Sequence, residues 1–176
     1  MTTVAIADDS ALLREGLAGL LERQGFEIVA QESRADALRQ TVPQLAEQGR
    51  LPQLLITDVR MPPTMANDGL QAALDLKTAY PALSVLVVSQ YVAPVYAQQL
   101  FALPAAPDSG GSGYLLKDRV SQVADFIGTL RVVCAGGMVI DPEVARAMMR
   151  ASRSGLGELS PREFEVLELM ARGLSN

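Results

Sequence analysis

The chain has 176 residues, 49% of them apolar, which is enough to bury one α/β core with a small second unit but too few for two full domains. A formal net charge of −5 and a pI near 4.8 exclude the stretch as a whole from being the electrostatic footprint of a nucleic-acid binder. Histidine is absent, so imidazole acid–base chemistry is excluded and any chemistry must run on carboxylates, hydroxyls and lysine.

In chain order, short apolar runs alternate with segments of helical spacing: 4–7 then 11–24, 28–31 then 35–47, 54–57 then 69–78, 85–89 then 94–103, and 114–116 then 120–134. Five such repeats predict a five-stranded parallel sheet with helices on both faces, a flavodoxin-like (βα)5 fold. The unbroken apolar runs at 54–56 and 85–88 suit strands buried on both sides. Gly25 and the pair Gly136-Gly137 stand where left-handed helix caps are expected, and Pro94 suits a first helical turn. Residues 103–113, rich in glycine and proline, read as a flexible loop.

After this unit, Asp141-Pro142 is a helix cap followed by a proline at the first helical position, opening a short helix to about residue 151. Residues 152–157 read as a hinge. Ser160-Pro161-Arg162-Glu163 then forms a capping box, with Leu167, Met170, Ala171 and Leu174 at helical spacing and Gly173 permitting a turn. That pattern fits the opening of a helix-turn-helix or an amphipathic helix docked on the body. The division expected is 1–135 as the main domain, 136–158 as a linker with a short helix, and 159–176 as the start of a further helical unit. Cys134 is the single cysteine and reads as a small buried residue, which fits a reducing, cytoplasmic setting, and no apolar run approaches the length of a membrane span.

The chemistry concentrates at strand ends. Asp8 and Asp9 close the first strand and Asp58 the third, so the topology carries three carboxylates to one sheet edge. Singly, the Asp8-Asp9 pair reads equally as a helix cap and Asp58 as a loop cap. Together they are a site for a hard cation such as Mg²⁺, because packed carboxylates repel unless neutralised. Ser89 ends the fourth strand and Lys117 follows the fifth, adding a hydroxyl and an ammonium. A cation, a nucleophilic carboxylate and two donors are the parts that phosphoryl transfer requires.

Asp8-Asp9, the run Leu54-Leu55-Ile56-Thr57-Asp58-Val59-Arg60-Met61-Pro62, Ser89-Gln90 and Gly113-Tyr114-Leu115-Leu116-Lys117-Asp118 resemble the receiver domain of LuxR/NarL-type response regulators of two-component systems, over residues 3–134. The resemblance implies that Asp58 accepts phosphate from a sensor histidine kinase. It implies that Asp9, Asp58 and the Arg60 carbonyl bind Mg²⁺ directly, with Asp8 acting through water. Lys117 would pair with Asp58, Ser89 would close on the phosphoryl oxygens, and Tyr114 would turn inward as the switch aromatic. The surface of the fourth helix, fifth strand and fifth helix would then change, with homodimerisation as a possible output.

The run from Leu159 to Asn176 is similar to the first helix and turn of a LuxR-type helix-turn-helix; the recognition helix would lie beyond it, and residues 150–176 carry four arginines against four glutamates. DNA binding is therefore expected of the intact parent and not of this stretch. Two departures stand out: Asp118 follows Lys117 where many receivers have proline, which implies a looser lysine loop, and residues 103–113 are longer than in compact receivers.

Other readings fare less well. Haloacid-dehalogenase-like phosphatases carry a second aspartate two positions after the first, where this chain has Arg60, so a switch is expected rather than a turnover enzyme. Asp8-Asp9-Ser10 replaces the glycine-rich loop of a dinucleotide or flavin site. A stand-alone receiver working through protein–protein contacts, or a regulator independent of phosphorylation, would keep the same pocket.

Overall fold

A computed structural model describes residues 1–153. The hinge from residue 154 onward and the helix-turn-helix reading at 159–176 lie outside the described residues. The strands are β1 (Thr3–Ala7), β2 (Glu27–Glu32), β3 (Leu54–Thr57), β4 (Ser84–Ser89), β5 (Ser112–Leu116) and β6 (Met138–Ile140). The helices are α1 (Ala11–Arg23), α2 (Ala35–Glu47), α3 (Asp68–Ala79), α4 (Pro94–Phe101), α5 (Val123–Cys134) and α6 (Pro142–Arg153), with a 3-10 turn at Lys117–Ser121. Strand order is β2-β1-β3-β4-β5-β6 and every pairing is parallel.

The expected five strands are thus corrected to six. The sixth comes from the segment read as linker, where Met138, Val139 and Ile140 align with Ser112, Gly113 and Tyr114. Gly136, at φ +93, reverses the chain after α5 in a conformation that favours glycine, and lets these three residues run back beside β5. Ser152, read as part of the hinge, is helical, since α6 continues to Arg153.

The alternation of strand residues divides the core in two. Ala5, Ala7, Leu55, Val85, Val87, Tyr114 and Leu116 face one layer, which they share with buried residues of α2, α3, α4 and α6. Val4, Ile6, Leu54, Ile56, Leu86, Val88 and Leu115 face the other, built from α1 and α5. Ile140, Val144, Ala145 and Met148 belong to the first layer together with Ala97, Leu100 and Phe101, so α6 packs against α4 and β5 is an interior strand.

The end of the 103–113 loop, next to β5, is anchored by hydrogen bonds. The ammonium of Lys77, buried on α3, donates to the carbonyls of Leu83, Gly110 and Gly111 at 2.8, 2.9 and 3.4 Å. Burial pushes its pKa below the ordinary lysine value. Among the described residues no helix is long and apolar enough to cross a membrane.

Candidate functional site

The carboxyl ends of β1, β3, β4 and β5 meet at one edge of the sheet, where an open cleft of about 520 Å³ is lined by Asp9, Ser10, Asp58, Arg60, Ser89 and Lys117, among others. Asp58 follows β3 directly, and its amide donates to the Ala7 carbonyl at 2.9 Å, fixing it beside the end of β1. One carboxylate oxygen accepts from the Val59 amide at 2.7 Å and the other from Lys117 Nζ at 3.0 Å. Lys117 Nζ also lies 3.1 Å from Asp8 Oδ2, so a single ammonium bridges two buried carboxylates.

Asp8 is fixed from several directions. Its Oδ1 accepts from the Ser10 amide at 2.8 Å, its carbonyl accepts from Arg14 Nη1 at 2.7 Å, and its amide donates to Glu32 O at 3.0 Å. The Ser10 hydroxyl caps α1 by accepting from the Leu13 amide. The cap role considered for the acidic pair therefore falls to Ser10, which leaves Asp9 exposed at the cleft. Carboxylate oxygens of Asp8, Asp9 and Asp58 lie within 4.8 Å of one another. Three carboxylates against one ammonium leave two negative charges on hard oxygen donors, a set that suits a divalent cation.

Burial pushes the Asp58 carboxyl above its ordinary value; the hydrogen bond and charge of Lys117 oppose this and the charge of Asp8 adds to it. Burial by itself would depress Lys117, but Asp58 and then Asp8 outweigh it and hold the ammonium above its ordinary value.

Ser89 reaches the cleft from the end of β4. Its hydroxyl donates to the Tyr91 carbonyl at 3.1 Å and accepts from the Tyr91 amide at 3.2 Å. The Arg60 guanidinium stacks 4.6 Å from the centre of the Tyr91 ring, closing one side of the rim. Tyr114 is fully buried, and its hydroxyl meets no hydrogen-bond partner among the described residues. Burial raises its pKa.

All seven residues singled out in the sequence lie at or behind this edge: Asp8, Asp9, Asp58, Arg60, Ser89 and Lys117 around the cleft, and Tyr114 inside. The segment after Lys117, where the resemblance implied a looser loop, makes hydrogen bonds of its own. The 3-10 turn carries the chain onward, Ser121 Oγ donates to the Asp118 carbonyl at 2.8 Å, and Arg119 is paired with Asp141. Sequence reasoning missed Arg14, Gly69 and the Arg119–Asp141 pair. Asp141 carried a signal only as a helix cap.

The family model for the response regulator receiver domain matches residues 4–122. The transcriptional regulatory protein DegU of Brevibacillus brevis is 30% identical over 98% of this chain and 76% of its own length. Among solved structures, the RcsB response regulator of Salmonella typhimurium superposes with a TM-score of 0.69 at 26% identity, covering 98% of this chain and 79% of that one. A structure of two RcsB dimers bound to two parallel DNAs gives a TM-score of 0.67 at 26% identity, covering 98% of this chain and 77% of that one. The acidic edge, the strand order and the match over residues 4–122 agree, and the chain belongs to the response regulators of two-component systems, in their LuxR/NarL branch.

Proposed function

We propose that the chain is a phosphorylation switch in which Asp58 accepts a phosphoryl group from a sensor histidine kinase, in a cytoplasmic setting. The observation that carries this reading is the single ammonium of Lys117 held between Asp58 and Asp8, at 3.0 and 3.1 Å, beside the exposed carboxylate of Asp9. A buried nucleophilic carboxylate, acids to hold Mg²⁺ and a fixed cation form a site built for phosphoryl transfer.

Asp9, Asp58 and the Arg60 carbonyl would hold Mg²⁺, with Asp8 acting through water. The bound ion would neutralise the charge spread over the phosphoryl oxygens. An Asp58 carboxylate oxygen forms the new O–P bond as the P–N bond to the donor histidine breaks. The electron pair leaves on the imidazole nitrogen, which takes its proton from solvent. Lys117 then pairs with the phosphate, and Ser89 exchanges its Tyr91 contacts for a phosphoryl oxygen. Phosphorylation selects one of two arrangements around Ser89 and Tyr114 and so alters the surface of α4 and α5, with β6 and α6 lying over the β5 edge that a five-stranded sheet would expose. The chain modifies itself and so acts as a switch rather than a turnover enzyme. In the intact regulator this surface governs homodimerisation and the access of a LuxR-type domain to DNA.

Intact mass after incubation with acetyl phosphate and Mg²⁺ tests the reading. One phosphoryl adduct that needs Mg²⁺ and disappears in Asp58→Asn is expected. No adduct on folded protein from several donors overturns it in favour of a binding module independent of phosphorylation.

A further inference from the structure

Asp141 looks in the sequence like a cap for α6, a task for which serine or asparagine serves as well as aspartate. Its surroundings demand more. The residue is completely buried, and an isolated carboxylate there would be costly. Oδ2 accepts from the Leu116 amide at 3.1 Å and from Arg119 Nε at 3.0 Å. Oδ1 accepts from the Glu143 amide at 2.9 Å and from Arg119 Nη2 at 3.4 Å. The Asp141 amide donates to the Tyr114 carbonyl at 2.7 Å, and its carbonyl accepts the first bond of α6, from Ala145, at 2.9 Å.

Only the bond from Glu143 is needed for the cap. The others grip the chain on both sides of Lys117, at Leu116 just before it and at Arg119 two residues after it. No proline ring fixes the backbone after Lys117, where Asp118 stands. The charge-assisted fork from Arg119 to Asp141 supplies that constraint instead. The same carboxylate starts α6, whose Val144, Ala145 and Met148 share a core layer with Ala97, Leu100 and Phe101 of α4.

We propose that Asp141, with Arg119, is a positioning residue for the phosphoryl-site lysine: the pair clamps the segment that carries Lys117 and ties it to the first turn of α6. The clamp rests on the receiver reading given above. Its consequence is that a change at Lys117 is felt in α6 without passing through α4.

The test uses the chain as it stands, with Asp141→Asn, Arg119→Gln, Arg119→Lys and the double variant Asp141→Asn/Arg119→Gln. Arg119→Gln leaves the fully buried Asp141 carboxylate without its cation, so Arg119→Lys, which keeps a charge there, is the folded control where Arg119→Gln or Asp141→Asn folds poorly. The initial rate of adduct formation from acetyl phosphate should fall about tenfold in either single variant. Because the two residues act as one unit, the double variant should be no slower than the slower single. Arg119→Lys should recover part of the rate. Rates within about twofold of wild type in folded variants, or single effects that multiply in the double, would overturn the clamp.

Failure of the receiver reading has a different signature, since wild-type protein itself would then give no Asp58-dependent adduct. Amide hydrogen exchange decides the clamp in that case. Exchange at Leu116 and at Ala145–Met148 should quicken together in Arg119→Gln, and unchanged exchange at either place would overturn it.

Discussion

The backbone carbonyl oxygen of Asp58 lies 2.0 Å from where a Cβ on Gly69 would stand, and Met61 Sδ lies 3.0 Å from the same point. The Gly69 amide also donates to the Val59 carbonyl at 2.9 Å, so the first turn of α3 rests directly on the chain just after β3. Any side chain at position 69 must push Asp58 out of place. Gly69→Ala should cost roughly 1–3 kcal/mol by overpacking. That corresponds to a fall in melting temperature of about 2–4 °C per kcal/mol for a chain of this size. Adduct formation at Asp58 should fall further than stability does, because the clash displaces the residue proposed to accept the phosphoryl group. Thermal melts with intact-mass kinetics check this, and a folded variant with wild-type kinetics contradicts it.

Lys117 is the shared counter-ion of Asp8 and Asp58, both nearly buried. Lys117→Met leaves two carboxylates facing each other, at a cost on the order of 3 kcal/mol in metal-free buffer. Mg²⁺ can take over the neutralising task. Added Mg²⁺ should therefore raise the melting temperature of the variant more than that of wild type. Equal Mg²⁺-induced shifts in the two proteins would show that Lys117 and the cation do not compensate the same charge.

Asp58 carries a carboxyl raised by burial from the ordinary aspartate value of 3.8. The folded state thus holds this proton more tightly than the unfolded chain does. Stability from this group falls as pH rises from 3.8 to the raised value, and the cost of the buried charge is fully present above it. Without metal at neutral pH, Asp58→Asn removes that cost and should melt higher than wild type. Acidification protonates the wild-type carboxyl and should narrow the gap. Chelator-treated melts across the acid range check both parts, and a gap that widens on acidification would refute the sign.

Much of this was legible in the sequence because each element announced itself locally. Val85 to Val88 form a buried strand from an unbroken apolar run, and the parallel order carries Asp8, Asp58, Ser89 and Lys117 to one edge without any knowledge of distances. Strand β6 gave no such signal. Three residues beginning with the half-exposed Met138 show no periodicity, and their conformation comes from hydrogen bonding to β5. Gly69 and Asp141 were hidden for a related reason. Their roles arise from the approach of α3 to Asp58 and from the contact of Arg119 with Asp141, neither of which leaves a mark in local spacing.

The hydroxyl of Tyr114 offers the sharpest contrast between two substitutions at one position. The ring is fully buried in the layer that contains Ala97, Leu100, Phe101 and Val144, yet its oxygen meets no hydrogen-bond partner among the described residues. A buried hydroxyl left unsatisfied costs about 1–3 kcal/mol. Tyr114→Phe keeps the packing and removes that cost, so the variant should melt higher than wild type by a few degrees, at about 2–4 °C per kcal/mol. Tyr114→Ala instead opens a cavity beneath α4 and α6 and should destabilise by roughly 3–5 kcal/mol. Melts of both variants in metal-free buffer, before any phosphodonor is added, isolate the resting arrangement. If Tyr114→Phe melts lower than wild type, the hydroxyl has a partner in the resting state, with Ser89 as the first candidate. The double variant Ser89→Ala/Tyr114→Phe would then show non-additive losses.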